Sequence, residues 1–313
     1  MLERGMQRKT IIKTIDAKLE DWVKTIDDPL LVCDIREGTI LTGGAIASML
    51  MGAKVNDYDI YFNTIELTER VARYYVNKFN EAKLIESNGT KNDHTPTVMR
   101  DKITNIKDIV EDRVVIYIQS AGVASEDMSA YQYFETRPDE ATEDFAESLV
   151  TKEDDTRPKY RPVFLSQNAI TLSNDMQIVI RFHGKPAEIH DNYDFVHAMA
   201  YYDWSEGSLV IPAEAMESMM SKTLYYHGSL YPICSIFRAK KFIERGWHIS
   251  AGQLLKIMWQ ISELNLKDYN VLKEQLTGVD AAYMHQLIAV IREVKDPAKL
   301  NALYISKIID RIF

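Results

Sequence analysis

Two short stretches in the first quarter of the chain hold the residues best suited to chemistry. The first is Leu41-Thr-Gly-Gly-Ala-Ile-Ala-Ser48 and the second is Asn56-Asp-Tyr-Asp-Ile-Tyr-Phe62. Residues two apart on a strand point to the same face, so Asp57 and Asp59 set two carboxylates side by side. Such groups repel unless a cation lies between them, and hard oxygen ligands of this kind suit magnesium. Upstream, Gly43-Gly44 lets the backbone approach a ligand closely. The pair also opens a helix, whose free N–H groups favour phosphate. A phosphate cradle followed closely by metal-binding carboxylates is what phosphoryl or nucleotidyl transfer needs. A Gly-Gly turn alone, or an Asp-x-Asp alone, is a common structural feature. Their order, with a strand before the glycines and an aromatic strand carrying the acids, is far more specific.

The elements that must position these residues can be read from periodicity. Residues 8–26 have Ile11, Ile12, Ile15, Leu19 and Trp22 at helical spacing, ended by Asp27-Asp28-Pro29. A short strand at 39–42 leads into Gly43-Gly44, then a helix Ala45–Met51 stopped near Gly52. Residues 58–62 form a strand, and 64–83 a helix capped by Asn63 or Thr64. Val114–Ile118 reads as a buried strand inside a polar, acid-rich middle, with a strongly negative run from Pro138 to Asp155. Strands follow at Gln177–Phe182 and Val196–Tyr202. From Pro212 onward the pattern is helical: Ala213–Leu224, Ile233–Arg245, Leu254–Leu264 behind a Ser250/Gln253 capping box, Asp280–Val294 and Pro297–Ile312.

Gly43-Gly44 followed by Asp57-Tyr-Asp59 resembles the signature of the nucleotidyltransferase superfamily, the DNA-polymerase-beta type. Two later stretches are similar to the head and neck of bacterial poly(A) polymerases and CCA-adding enzymes. These are Asn192-Tyr-Asp-Phe-Val-His-Ala-Met-Ala-Tyr-Tyr-Asp203 and Cys234-Ser-Ile-Phe-Arg-Ala-Lys-Lys-Phe-Ile-Glu-Arg-Gly246. The chain also resembles phage-encoded nucleotidyltransferase-like proteins. The resemblance covers about 38–62 and 176–250. It implies an α+β fold: a small mixed-sheet head over 1–205, with an insertion at about 86–175, and an all-helical neck and body over 206–313. It implies Asp57 and Asp59 as metal ligands, with magnesium or manganese as cofactor. Asp194 is expected as a further catalytic acid, and Gly43, Gly44, Ser48, Lys222 and Arg238 as nucleotide-binding residues. The departures are that Asn192-Tyr193 stands where relatives carry an Arg-Arg pair, and that Gln177 stands where a third acid is expected.

Other residues carry weaker signals. Lys240 and Lys241 read as solvated. Ser229 and Tyr231 beside Gly228 fit turn chemistry as well as ligand contact. His183, His190 and His197 match no metal-binding spacing. Ile236, Phe237 and Phe242 give the helix Ile233–Arg245 an apolar stripe to pack on the head.

Composition bounds the reading. The chain has 313 residues, 46% of them hydrophobic, enough for one large or two modest domains. No stretch approaches the ~20 apolar residues of a membrane helix. Cys33 and Cys234 offer neither a zinc site nor a disulfide framework, so a cytoplasmic protein is expected. A formal net charge of −9 argues against a broad nucleic-acid-coating surface but leaves room for a local basic patch. The expected partners are an NTP and an acceptor hydroxyl, with an RNA or tRNA 3′ end first and a protein side chain or small molecule second. No membrane partner is expected, and the oligomeric state stays open. The alternative from another class is a non-catalytic relative that binds nucleotide or a partner protein.

Overall fold

The computed structural model describes residues 5–86, 95–104, 110–118, 123–125, 158–268, 271–272 and 275. The helices are α1 (Arg8–Val23), α2 (Pro29–Gly38), α3 (Gly44–Met51), α4 (Ile65–Glu86), α5 (Pro186–His190), α6 (Ala213–Ser221), α7 (Pro232–Glu244) and α8 (Ala251–Ser262). The strands are β1 (Thr39–Thr42), β2 (Tyr58–Phe62), β3 (Thr97–Thr104), β4 (Val110–Tyr117), β5 (Val123–Ser125), β6 (Pro162–Ser166), β7 (Ala169–Leu172), β8 (Met176–Val179), β9 (Tyr201–Asp203), β10 (Ser208–Val210), β11 (Thr223–Leu224) and β12 (His248–Ile249). A turn of 3-10 helix covers Val196–Ala198.

Eight strands form one mixed sheet in the order β10-β9-β1-β2-β8-β7-β6-β5. Every pairing is antiparallel except β2 with β8, which run parallel. Parallel neighbours need a long crossover, and α4 begins the one that joins β2 to β8. The sheet is covered on both sides, as its alternation demands. Leu41, Ile60, Phe62, Met176, Ile178 and Tyr202 point to a large core built with Ile11, Ile15, Leu19 and Trp22 of α1, Leu31 and Ile35 of α2, and Val71, Tyr75 and Phe79 of α4. Ile40, Tyr61 and Val179 point the other way and meet Ile233, Cys234 and Phe237 of α7. The sheet is thus sandwiched between the N-terminal helices and the neck helix.

Local chemistry explains the helix starts. The Asp28 carboxylate accepts from the Leu30 and Leu31 N–H groups at 3.0 and 3.1 Å, ahead of Pro29 at the first helical position. Thr64 Oγ1 accepts from the Leu67 N–H at 3.3 Å. The Trp22 indole donates to the Tyr75 hydroxyl at 2.6 Å, tying α1 to α4 inside the core.

Several expectations are corrected. Val196–Tyr202 is not one strand: Phe195 bridges to Tyr226, Val196–Ala198 turns, and only Tyr201–Asp203 joins the sheet. The middle holds more sheet than its polarity suggested. The β3–β4 ribbon lies on α4, with Val114 and Ile116 buried, and β6 and β7 extend the main sheet past β8. The helix from Ala213 stops at Ser221, because Lys222 takes a left-handed conformation (φ 48°) and Thr223 enters a parallel pair with His248. Gln253 does not close a capping box; its Oε1 accepts from the Tyr226 N–H at 2.9 Å. The packing stripe of α7 is Ile233, Cys234 and Phe237, while Ile236 is exposed and Phe242 joins a separate cluster. The run Pro138–Asp155 and the helices expected at Asp280–Val294 and Pro297–Ile312 lie outside the described residues.

Candidate active site

The site grows from the end of β1 and the start of β2. Thr42 pairs with Asp59, so the chain leaving β1 at Gly43 passes directly beside the Asp59 side chain. Gly43 has φ 97° and ψ −157°, a region open essentially only to glycine. Its N–H donates to the Ala198 carbonyl at 3.1 Å. A Cβ at Gly43 would meet Asp59 Oδ2 at 2.6 Å. The missing side chain therefore keeps open the space at that carboxylate oxygen. Gly44 begins α3, is exposed, and has nothing within 4 Å of where a Cβ would stand. Ala45 and Ile46 fix the helix in the core, and Ser48 stands half-buried one turn beyond Gly44.

Asp57 is exposed, immediately before β2, and Asp59 is half-buried on the strand itself. Across the parallel junction Asp59 is in register with Gln177, and Gln177 with Thr171 on the next strand. Residues in register on neighbouring strands share a face. Thr42, Asp59, Gln177 and Thr171 therefore form a polar row on the α7 side of the sheet. Gln177 occupies the place beside Asp59 where a third acid was expected. Among the described residues, no three of His, Cys, Asp and Glu gather as metal ligands. The donors present are two carboxylates, one of them facing a gap that a Cβ would fill. That set fits a magnesium ion that completes its shell with water and substrate phosphate.

Beneath this row lies an aromatic floor. The Thr42 hydroxyl donates to the Ala200 carbonyl at 2.9 Å and sits 2.9 Å from His190 Nε2. Because the hydroxyl proton is already used, His190 donates through an Nε2–H. Burial, with His227 nearby, lowers the His190 pKa to about 4, so the ring is neutral. The rings of Tyr193 and Tyr201 pack on it. The Tyr193 hydroxyl is buried, set against Tyr61 and Thr42 without a formed hydrogen bond. Burial raises the pKa of Tyr193, and the Asp59 charge raises it further. Tyr61 is raised by burial, then by Tyr193 and Asp59, while Arg238 opposes the shift. The charges of Asp59 and Arg238 thus act in opposite senses on the Tyr61 hydroxyl.

Arg238 and Asp194 find each other. Arg238 Nη1 lies 2.5 Å from Asp194 Oδ2, with side-chain exposures of 24% and 4%. Asp194 Oδ1 is buried without a hydrogen-bond partner. Lys222 is exposed at the C-cap of α6, where its carbonyl accepts from the His248 N–H. Ser229 and Tyr231 have structural partners: Ser229 Oγ accepts from the Tyr231 N–H, and the Tyr231 hydroxyl accepts from Arg181. His197 is enclosed by Phe195, Phe242 and Trp247, and burial lowers its pKa to about 4. Among the described residues His183, His190 and His197 form no three-residue ligand group. Sequence reasoning missed Thr42, His190, Tyr61 and Tyr193. The alternation of β1 and β2 marks Thr42 and Tyr61 as facing the same side as Asp59, but nothing local brings His190 and Tyr193 beneath them.

Comparison with known proteins adds a family. The model of the Gabija anti-defense 2 family protein matches residues 13–222, two thirds of the sequence. The chain belongs to the Gabija anti-defense 2 family. The matched span takes in Gly43, Gly44, Asp57, Asp59 and Asp194 and ends before α7. A Gabija anti-defense 2 protein of Bacillus phage SPbetaL7 is 21% identical over 103 residues, which is 33% of this chain and 26% of that protein. The match thus spans about a quarter of the relative's length. Among solved structures, a tRNA-processing enzyme in an apo form is similar with a TM-score of 0.37 and 14% identity, covering 97% of this chain and 63% of that one. The Bacillus stearothermophilus CCA-adding enzyme in complex with CTP is similar with a TM-score of 0.33 and 10% identity, covering 98% and 58%. No helix among the described residues is long and apolar enough to cross a membrane.

Proposed function

We propose that this Gabija anti-defense 2 family member is a nucleotidyltransferase that moves NMP from an NTP to an acceptor hydroxyl. The observation that carries this reading is the space that Gly43 leaves at the Asp59 carboxylate, beside the exposed start of α3 and two residues from Asp57. In the proposed reaction the acceptor oxygen attacks the α-phosphorus and the bond to pyrophosphate breaks. The hydroxyl proton passes to solvent. Asp57 and Asp59 would hold magnesium or manganese, which supplies charge neutralisation at the phosphates and a more acidic acceptor hydroxyl. Gly43, Gly44 and Ser48 line the phosphate side. Thr42, His190 and Tyr193 hold the β1–β2 end rigid and exclude water from beneath Asp59.

The expected boundary at 205/206 is corrected, since Ser208–Val210 joins the head sheet and short strands at Thr223–Leu224 and His248–Ile249 interrupt the segment expected to be all-helical; on this reading the nucleotide would lie between that head and the neck helix α7. Asp194 acts there by fixing Arg238, whose charge, like that of Asp59, is felt at the Tyr61 hydroxyl. Lys222 is assigned to the outer rim. An RNA 3′ end remains the first choice of acceptor. The family's name directs the search to nucleic acids and proteins present during Gabija defence, and a cytoplasmic setting is consistent with such a role. The test is incubation with each α-labelled NTP and Mg²⁺ against mixed RNA and against protein, beside Asp59→Asn. Label transferred by the native protein alone supports the reading.

A second reading is favoured by Gln177, a neutral amide in register with Asp59. On that reading the site binds nucleotide without turning it over, and the protein acts by binding a partner. NTP binding with no pyrophosphate release over hours would select it.

A further inference from the structure

The charge of the chain is unevenly placed. Residues 219–262 contain Lys222, Arg238, Lys240, Lys241, Arg245 and Lys256 against Glu244 alone, a formal +5 in a chain of net −9. Arg238 is engaged by Asp194 and Lys240 pairs with Glu244 at 3.1 Å. Lys222, Lys241 and Arg245 come together with His248 at one corner. The His248 N–H binds the Lys222 carbonyl, Thr223 pairs with His248, and the Arg245 N–H binds the Lys241 carbonyl at the end of α7. Lys222, Arg245 and His248 are exposed and Lys241 is half-buried. α8 starts at once after this corner and carries exposed Lys256, with Trp259 one turn on at 67% exposure. Leu255 and Met258 beside it are also exposed. The acids on these elements are Glu214 and Glu217 on α6, Glu244 on α7 and the exposed Glu263 at the C-cap of α8.

Cations along a path, followed by a solvent-facing indole, are the two parts of a single-strand-binding surface. The cations follow the phosphates and the ring stacks on a base. Lysine is depleted at the cores of protein–protein interfaces, so a row of cations leading to an exposed indole favours a nucleic-acid strand over a folded protein partner. We propose that the corner Lys222–Lys241–Arg245–His248, continued by Lys256 and Trp259, binds single-stranded nucleic acid. Its role as the acceptor's track rests on the transferase reading, since α7 carries both this corner and Arg238; the binding itself does not.

The test uses the full chain and a fluorescent 20-nucleotide oligo(U) or oligo(dT), titrated at several salt concentrations. Binding should weaken with salt by about 0.7 log units per log unit of salt for each phosphate neutralised. Lys241→Glu/Arg245→Glu should weaken it at least about tenfold and flatten the salt slope by roughly 1.4. Native fluorescence should be quenched on binding, and Trp259→Ala should abolish the quench, because Trp22 and Trp247 are buried and Trp204 is half-buried. Both variants should keep NTP binding. No binding at low salt, or binding that both variants retain in full, overturns the proposal. Capture of duplex but not single strands also overturns it, as does binding of a protein by the α8 face with no effect of charge reversal. Oligonucleotide binding without Mg²⁺-dependent transfer would sink the transferase reading and leave this surface standing; transfer to a protein with no oligonucleotide binding would do the reverse.

Discussion

Gly43 leaves its side-chain position empty where Asp59 Oδ2 would lie 2.6 Å from a Cβ. The two residues are therefore one unit: the turn after β1 is shaped so that the carboxylate has room. Gly43→Ala should force the Asp59 side chain to turn away and impose backbone strain of about 1–3 kcal/mol. Urea denaturation should show that loss of stability together with loss of transfer. A fully active, equally stable Gly43→Ala protein would mean that the gap beside Asp59 has no role.

Gly44 is the opposite case. Nothing lies within 4 Å of its Cβ position, so a side chain there costs the fold little. Gly44→Val should change stability by less than about 1 kcal/mol, as exposed substitutions do, yet raise the NTP concentration needed for half-saturation. Thermal melts and an NTP titration separate the two effects. Unchanged NTP binding would place the phosphates elsewhere.

Arg238 is held to the head by Asp194, which is only 4% exposed. Removing one partner of such a pair leaves a buried charge. Arg238→Ala should cost about 3 kcal/mol, the lower end for a broken buried pair, because the arginine is 24% exposed. Asp194→Asn with Arg238→Met together should cost less than the sum of the single changes. A double-mutant cycle by chemical denaturation reads this coupling directly. Additive effects would show that the pair contributes nothing to joining neck and head.

His190 and His197 both have pKa values lowered from 6.5 to about 4, each first by burial. A histidine held neutral in the fold binds its proton more readily when unfolded. The unfolded state therefore takes up more protons between pH 6.5 and 4, and stability is full above that window and falls within it. The slope should approach about 1.4 kcal/mol per pH unit for each histidine. His197→Phe should remove about half of the combined slope. Urea midpoints from pH 7 to 4.5 check it, and a slope that the variant leaves unchanged would contradict the assignment.

The parts of the fold written in local pattern were legible. The strands at 39–42 and 58–62, the turn at Gly43-Gly44 and the helices α1, α3 and α4 follow from periodicity and capping. What was missed depends on distant pairing. β6 and β7 are short, and the strand character of Val163-Phe-Leu165 shows only once β8 stands beside β7. Phe195 and Val196 look like the start of a strand but are claimed by Tyr226 and the turn above it. At the site, alternation placed Asp59, and the parallel register then brought Gln177 to it. The pairing of His190 with Thr42 spans 148 residues, and no local signal announces it.

The carboxylate pair is tested most directly by pyrophosphate release. The native chain should release pyrophosphate from at least one NTP in the presence of an acceptor and Mg²⁺, and chelation should stop it. Asp57→Asn and Asp59→Asn should each abolish release while melting like the native protein, since removing one of two adjacent carboxylates relieves repulsion. Near-normal release by either folded variant would contradict the assignment of Asp57 and Asp59 as the metal-binding centre.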